Sequence, residues 1–440
     1  MSATSLLTAR EPVRVGLAGA GRLATMFLAQ ARHSPGIHVA AVADPDPERG
    51  PTALALAQWP PVKAVARSLA DALASGGTWV TTDAAALTES ARLDVLIEAG
   101  RSPAAGILTA LAAIDRGIHV VMANIGADAL AGPALAARAA ARGVVYSLAY
   151  GDQPALICEL VEWARTCGFE VAAAGRGSRW LPGCQAVTPD TVWTHFGRDA
   201  SEAKAADLHS DFYTALLDGT HAALELAAVA NACLLAPPSA GLSFPPCGSH
   251  DLARVLRPSW DGGRLESAGM VEAVSTLERD GRRVFADLEN GVFVTFRAQS
   301  DFAARSLPEL GVPTDGGAYG ARWRQHHLLG FELPVSVAEV ALNRRPTGCP
   351  RAFVADVATV AKRDLDAGTE LDGAGGATVW GRLLPAEASL AQQALPIGLA
   401  AGLRLLRPVA AGQVVTRADV ALDDSDPVVA FRTAMEQGST

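Results

Sequence analysis

Apolar and polar positions along the first 150 residues fall into alternating short runs and longer helical stretches. Val13, Val15 and Leu17 mark a strand, a glycine turn and a helix-length stretch follow, and residues 37–43 form a second apolar run closed by Asp44. The same alternation predicts strands over 78–81, 93–98, 119–123 and 144–147. Between them lie a helix-like stretch broken at Trp59-Pro60-Pro61, a short helix over 83–90, a helix from Ser102 to about 115, and an Ala-rich helix after Asn124. Ser102 is a capping residue. Strand–helix alternation of this kind builds an α/β domain, a doubly wound parallel sheet of Rossmann type, over residues 13–148.

The pattern then changes. Gly151-Asp152-Gln153-Pro154 opens a helix. Residues 169–174 read as a strand, followed by a glycine-rich loop, Gly175 to Trp180, and a polar stretch to residue 207. A helix rich in Ala and Leu covers 220–235. Residues 271–278 and 284–296 read as antiparallel strands around Arg279-Asp280-Gly281, and 320–343 as a helical or mixed segment, interrupted by Pro334, that returns to the first domain. This is an α+β substrate and oligomerisation domain over 149–350. Residues 363–371 and 407–415 repeat each other at an offset of 44, each copy a strand, an Ala-Gly turn and a strand. They define a small all-β module over 351–430 with internal pseudo-symmetry.

Candidate chemistry sits at the ends of these elements. Gly19-Ala20-Gly21-Arg22-Leu23-Ala24 fits G-x-G-x-x-A between strand and helix, with Asp44 closing the next strand. Gly19 permits the turn, Gly21 lets backbone N–H groups approach a pyrophosphate, and Ala24 lets the helix pack on the sheet. The acid accepts from a ribose, which favours NAD over NADP, although Arg22 or Arg49 leaves a 2′-phosphate possible. Ligands of such sheets lie beyond the carboxyl ends of the strands, so Gly100, Arg101 and Asn124 join the cofactor set.

Asp218, His221 and Glu225 stand three and four residues apart on one predicted helix edge. That spacing suits an acid/base imidazole oriented by Glu225 or Asp218, and equally a helix cap beside a surface ion pair. Arg176 and Arg179, in the glycine-rich loop, suit an anion clamp. Asp152 lies at the turn between the domains, where a substrate would meet the nicotinamide. His326 and His327 are adjacent and point apart on a helix, so no metal site is assigned to them.

Of the 440 residues half are apolar and the formal net charge is −9, without a basic patch, which argues against nucleic-acid and anionic-lipid partners. No apolar run is long enough to span a membrane, the N-terminus lacks a secretion signal, and the six cysteines are scattered, so a cytoplasmic chain with free thiols is expected. Only three lysines occur, at 63, 204 and 362, leaving few for catalysis.

Five segments carry a resemblance: GLAGAGRLA at 16–24, YSLAYGDQPALICELVEWA at 146–164, LLDGTHAALELAAVANA at 216–232, HHLLGFELPVSVAEVAL at 326–342 and AKRDLDAGTELDGAGGATVWGRL at 361–383. The N-terminal half resembles homoserine dehydrogenases. The whole chain resembles their bacterial relatives with a C-terminal SAF domain, a β-clip fold, a group that includes deoxyxylulose phosphate reductoisomerase-like enzymes. The resemblance implies an NAD(P)-binding domain, a substrate and dimer domain, a homodimer or homotetramer, and hydride transfer to or from a carbonyl.

It also exposes departures. Homoserine dehydrogenases carry a Lys after the Asn matching Asn124, where Ile125 and Gly126 follow here. The SAF-bearing relatives carry a Lys at the positions of Arg176 and His221. The expected activity is therefore an NAD(P)-dependent oxidoreductase acting on a small polar, anionic hydroxy or keto compound, with His221 as the proton-transfer group. A sugar-phosphate reductoisomerase, with Asp152, Asp218 and Glu225 holding a divalent metal, and a non-redox NAD-binding protein are the alternatives.

Overall fold

The computed structural model describes residues 11–89, 92–206 and 208–438. The N-terminal ten residues, Ser90 at the end of the expected short helix and Asp207 at the end of the polar stretch lie outside them. The chain divides into two compact units: residues 1–156, 327–351 and 431–440 form one, residues 157–326 and 352–430 the other.

The first unit is built on a six-stranded parallel sheet: β1 (Val13–Ala18), β2 (Ile37–Ala43), β3 (Trp79–Thr81), β4 (Val95–Glu98), β5 (His119–Met122) and β6 (Tyr146–Leu148). Its order is β3-β2-β1-β4-β5-β6, the doubly wound topology expected. In register, Ala18 of β1 pairs with Ala43 of β2 and Glu98 of β4, which aligns the three carboxyl ends. Helix α1 (Arg22–Ala31) buries Phe27 and Leu28 in a cluster with Leu17, Val39 and Val42. Truncating Phe27 to Ala would cost about 3–5 kcal/mol. Helices α2 (Pro103–Asp115) and α3 (Ile125–Ala141) start where Ser102 accepts from Ala105 N at 3.2 Å and Asn124 accepts from Ala127 N at 3.1 Å. The short helix expected over 83–90 is a single 3₁₀ turn, Ala85–Leu87.

The return segment rejoins this core through Leu333 and Val337. It differs from expectation in two ways. Its N-terminal part, Tyr319–Arg324, is a strand of the second unit. Pro334 sits in the first turn of the helix Leu333–Ala338, where its missing N–H interrupts nothing.

Helix α4 (Gln153–Thr166) leads into the second unit. Its sheet comprises β7 (Glu170–Ser178), β8 (Met270–Ser275), β9 (Val292–Arg297) and β10 (Tyr319–Arg324), in the order β10-β9-β7-β8. The stretch read as a glycine-rich loop is therefore central strand. A Cβ on Gly175 would overlap the Glu272 carbonyl and one on Gly177 the Leu288 carbonyl, so the glycines serve close neighbours, not a turn. The expected antiparallel pairing around Arg279-Asp280-Gly281 is confined to the turn, where Glu278 N donates to Arg282 O at 2.7 Å and Val284 N to Thr276 O at 3.0 Å; beyond it β7 lies between β8 and β9, parallel to the first and antiparallel to the second.

Helix α5 (Ser210–Asp218) ends at Gly219, whose φ of 91° breaks the chain direction before α6 (Thr220–Cys233). All residues of α6 except His221 are buried, which its Ala-rich composition permits. It packs on β7 and β8 and also on the hairpin of β11 (Ala355–Ala361) and β12 (Val379–Pro385). Asn231, fully buried in α6, accepts from Val354 N and Ala355 N at 2.8 and 2.9 Å. Residues 352–430 thus share a unit with the middle of the chain instead of standing apart.

The two repeat copies pair with each other. Leu365 and Val409, equivalent positions 44 residues apart, exchange both backbone hydrogen bonds at 2.9 Å. The surrounding bonds obey the same dyad: Gly368 N to Leu405 O matches Gly412 N to Ala361 O, and Leu371 N to Leu403 O matches Val415 N to Thr359 O. Gly368 and Gly412 hold φ of 84° and 79°, as the Ala-Gly turns require.

Candidate functional site

The glycine segment forms a cradle at the carboxyl end of β1. Gly19 has a φ of 97°, and a Cβ there would come within 2.5 Å of the Ala99 carbonyl. Gly21 opens α1 with no side chain capping it, and an ideal Cβ on it meets nothing within 4 Å. The ten-residue helix thus starts without a side-chain cap, the arrangement by which a helix N-terminus receives an anion such as a pyrophosphate. Asp44 is tied to the same turn: Oδ2 accepts from Ala20 N at 2.8 Å and Oδ1 from Asp46 N at 3.0 Å. Each oxygen retains capacity for a ribose hydroxyl. Arg49 pairs with Asp46 at 3.5 Å, while Arg22 is exposed. The Leu23 backbone carbonyl abuts Gly330 of the return segment, where a Cβ would come within 2.5 Å of it.

Around the end of β4, Glu98 is buried and accepts from Gly100 N at 2.9 Å. Burial pushes its carboxyl up to about 7, although Gly100 and the Asn124 side chain favour the ionised form. Asn124 is itself buried, donating to Ser102 O at 2.9 Å while capping α3. Arg101 is exposed. Sequence reading passed over Glu98; an acid ending an otherwise apolar strand was the available signal. Asp152, half-buried in the first unit, accepts from the adjacent Gln153 N at 2.9 Å, just before helix Gln153–Thr166.

The second unit brings together three of the expected residues and separates two. Glu225 is 1 % exposed and stands between a guanidinium and an imidazole. One oxygen takes the Arg176 guanidinium and the other lies 3.1 Å from His221 Nε2. Burial would raise this carboxyl, yet Arg176 and His221 outweigh it and hold it down to about 2. An ionised carboxylate only accepts, so Nε2 carries the proton and Nδ1 is the basic position. No group among the described residues bonds Nδ1, and the ring, packed edge-on against Phe212, is 19 % exposed.

Arg176 is consequently no anion clamp. It is buried in β7, its charge faces Glu225, and its Nε donates to Gly177 O at 3.2 Å. Arg179 lies just beyond the strand, donating to His195 O at 3.1 Å with its guanidinium 5.7 Å from the Phe196 ring. Asp218 does not share an edge with His221, because Gly219 breaks the helix between them. It is fully buried against Lys362, Nζ to Oδ2 2.8 Å, and caps Thr220 N at 2.8 Å. Burial raises its pKa, with Lys362 opposing. Lys362 also donates to the Val187 and Gly376 carbonyls at 2.7 Å. With Asp218 and Glu225 each matched to its own cation, they are not free to complete the expected metal set with Asp152. Lys362 was missed as a site residue, although it is one of only three lysines.

Residues 151–333 match the family described as oxidoreductase DRL, catalytic domain. No curated protein sequence matches the chain. Among solved structures, scyllo-inositol dehydrogenase from Lactobacillus casei, bound to NAD(H) and scyllo-inositol, is 14% identical over 43% of this chain and 51% of its own, with a TM-score of 0.28. The WlbA dehydrogenase from Bordetella pertussis, with NADH and UDP-GlcNAcA, is 15% identical over 71% of each chain, TM-score 0.32. The 1-deoxy-D-xylulose 5-phosphate reductoisomerase from Zymomonas mobilis, with NADPH, is 20% identical over 49% of this chain and 57% of its own, TM-score 0.33. The chain thus spans about half the length of the first and third of these. Among the described residues no helix is long and apolar enough to cross a membrane.

Proposed function

We propose that the protein is an NAD(P)-dependent oxidoreductase that transfers a hydride between the nicotinamide and a small polar, anionic hydroxy or keto compound. The observation that carries this reading is the uncapped helix start at Gly21, beside Gly19 and Asp44, in a chain whose residues 151–333 match an oxidoreductase catalytic domain. The nicotinamide supplies or accepts the hydride. Gly21 and the first turn of α1 hold the pyrophosphate, and Asp44 holds a ribose hydroxyl, which favours NAD.

His221 moves the proton on the substrate oxygen through Nδ1. Glu225 fixes the ring and stabilises the imidazolium as it forms, and Arg176 keeps Glu225 ionised. Arg179 lies nearest to an anion-holding role, because its guanidinium is not claimed by a carboxylate among the described residues. The 351–430 module is read as SAF-like on the resemblance carried by residues 361–383, and a homodimer or homotetramer is part of the same proposal.

The test is a titration of the purified chain with NADH and NADPH by nicotinamide fluorescence, then a screen of hydroxy and keto acids and their phosphates at the reduced-nicotinamide absorbance band. Binding followed by turnover of at least one anionic compound is expected. Nucleotide binding with no turnover across the screen would leave a binding protein, and no binding would remove the reading altogether.

A further inference from the structure

The second unit contains a cleft of about 480 Å³ lined by the loop before α6, residues 240–244 and the β11–β12 hairpin. Gly219 and Ala223 contribute to it from one side of α6. At about 100° per residue, His221 and Glu225 leave the helix on the other side. The cleft is therefore separate from the carboxylate–imidazole pair.

Three aromatic rings contribute to walls otherwise built mostly of Gly, Ala and Leu. Trp180 stacks on Phe244, ring centroids 4.6 Å apart and planes 12° apart, and Trp380 also lines the space. Its charge is positive. No Asp or Glu is among the lining residues, although the chain carries a net charge of −9. Arg382 lines it, half-buried, with its guanidinium 5.2 Å from the Trp380 ring centroid. No carboxylate among the described residues pairs with Arg382, and burial alone lowers its pKa. The Trp180 indole is 7 % exposed, and its Nε1 has no hydrogen-bond partner among the described residues. A half-buried guanidinium with a ring face but no counter-ion, and an indole N–H without an acceptor, both give up hydration that an anionic ligand with an acceptor would replace.

We propose that this cleft binds a small organic anion, a carboxylate or phosphate carried on a flat unsaturated ring. Arg382 takes the charge and the Trp180, Phe244 and Trp380 rings take the body. The volume falls in the range of ordinary small-molecule sites. The inference does not depend on the hydride-transfer reading.

Isothermal titration of the full chain with benzoate, phenyl phosphate and benzyl alcohol tests it. The expected result is saturable one-site binding of an anion, with benzyl alcohol at least tenfold weaker. The tighter of benzoate and phenyl phosphate identifies the charged group. Arg382→Met should weaken that anion at least tenfold, Arg382→Lys less. Gly21→Val, obstructed at the nucleotide cradle, should bind it unchanged. Equal binding of benzyl alcohol, or loss of anion binding in Gly21→Val, would overturn the proposal. The wild-type comparison of anion with alcohol decides the matter even if Arg382→Met does not fold.

Discussion

Glu225 holds His221 by one carboxylate oxygen while a guanidinium from the central strand holds the other. The imidazole is thus oriented by an acid that is itself fixed, and its remaining nitrogen is the position with a lone pair to offer.

If His221 transfers the substrate proton, His221→Ala should lower turnover by ~10²–10⁴-fold while nucleotide affinity stays unchanged. Steady-state rates alongside NADH titration separate the two effects. An unaltered rate would remove His221 from the chemistry.

Replacing Arg176 by Met should cost about 3–5 kcal/mol, because it strands the Glu225 carboxylate without its main partner. Adding Glu225→Gln should recover part of that loss. The sign with pH follows from the depressed Glu225 value of about 2. A lowered acid pKa stabilises fully above the unfolded value, near 4.5, and the contribution disappears as pH falls towards 2. Acid unfolding followed by circular dichroism should therefore lose part of its slope between those limits in the Arg176→Met/Glu225→Gln double variant.

Gly21→Val separates folding from nucleotide binding. A Cβ at Gly21 meets no protein atom within 4 Å, so the melting temperature should hold while NAD(H) affinity falls. The loss should be at least ~100-fold, if the branched side chain fills the pyrophosphate approach. Gly19→Val should differ, failing in stability as well, because its Cβ would collide with the Ala99 backbone.

Asp44→Asn should weaken NAD(H) more than NADP(H), by roughly tenfold in the ratio of the two dissociation constants. Fluorescence titration with both nucleotides measures the ratio, and an unchanged value would take Asp44 off the ribose.

Asp128 is fully buried, with Tyr146 donating to it at 2.7 Å. Burial pushes its carboxyl up to about 7, even though the tyrosine hydrogen bond opposes the shift. For an acid the raised value means that the folded state holds a proton which the unfolded state has released. Stability contributed by the neutral form therefore falls as pH rises from about 4 to about 7. Asp128→Asn should raise stability at pH 8 by on the order of 2 kcal/mol relative to pH 5, read from melting curves at both.

The parts legible in the sequence were those written locally. The strand–glycine–helix–strand pattern around Gly19 and Gly21 needs only contiguous residues, and the strand–helix alternation that follows it carried the parallel sheet. The His221–Glu225 contact was legible because a four-residue spacing places both on one helix face. Asp218 was misassigned because one residue, Gly219, enters the left-handed region and ends the helix run. Arg176 looked like a loop cation because glycines flank it. Its partner lies 49 residues away, and the flanking glycines answer carbonyls on neighbouring strands. Lys362 lies on a distant hairpin, and no local pattern joins it to Asp218.

The pairing of Leu365 with Val409 has a reach beyond the module it closes. Each copy presents an edge whose donors and acceptors match those of its twin, so half of the module is complementary to itself. Two identical halves would be expected to meet in the same register. Fused in one chain they have been free to diverge: Lys362 is buried against Asp218, while its counterpart 44 residues on, Leu406, lies in solvent.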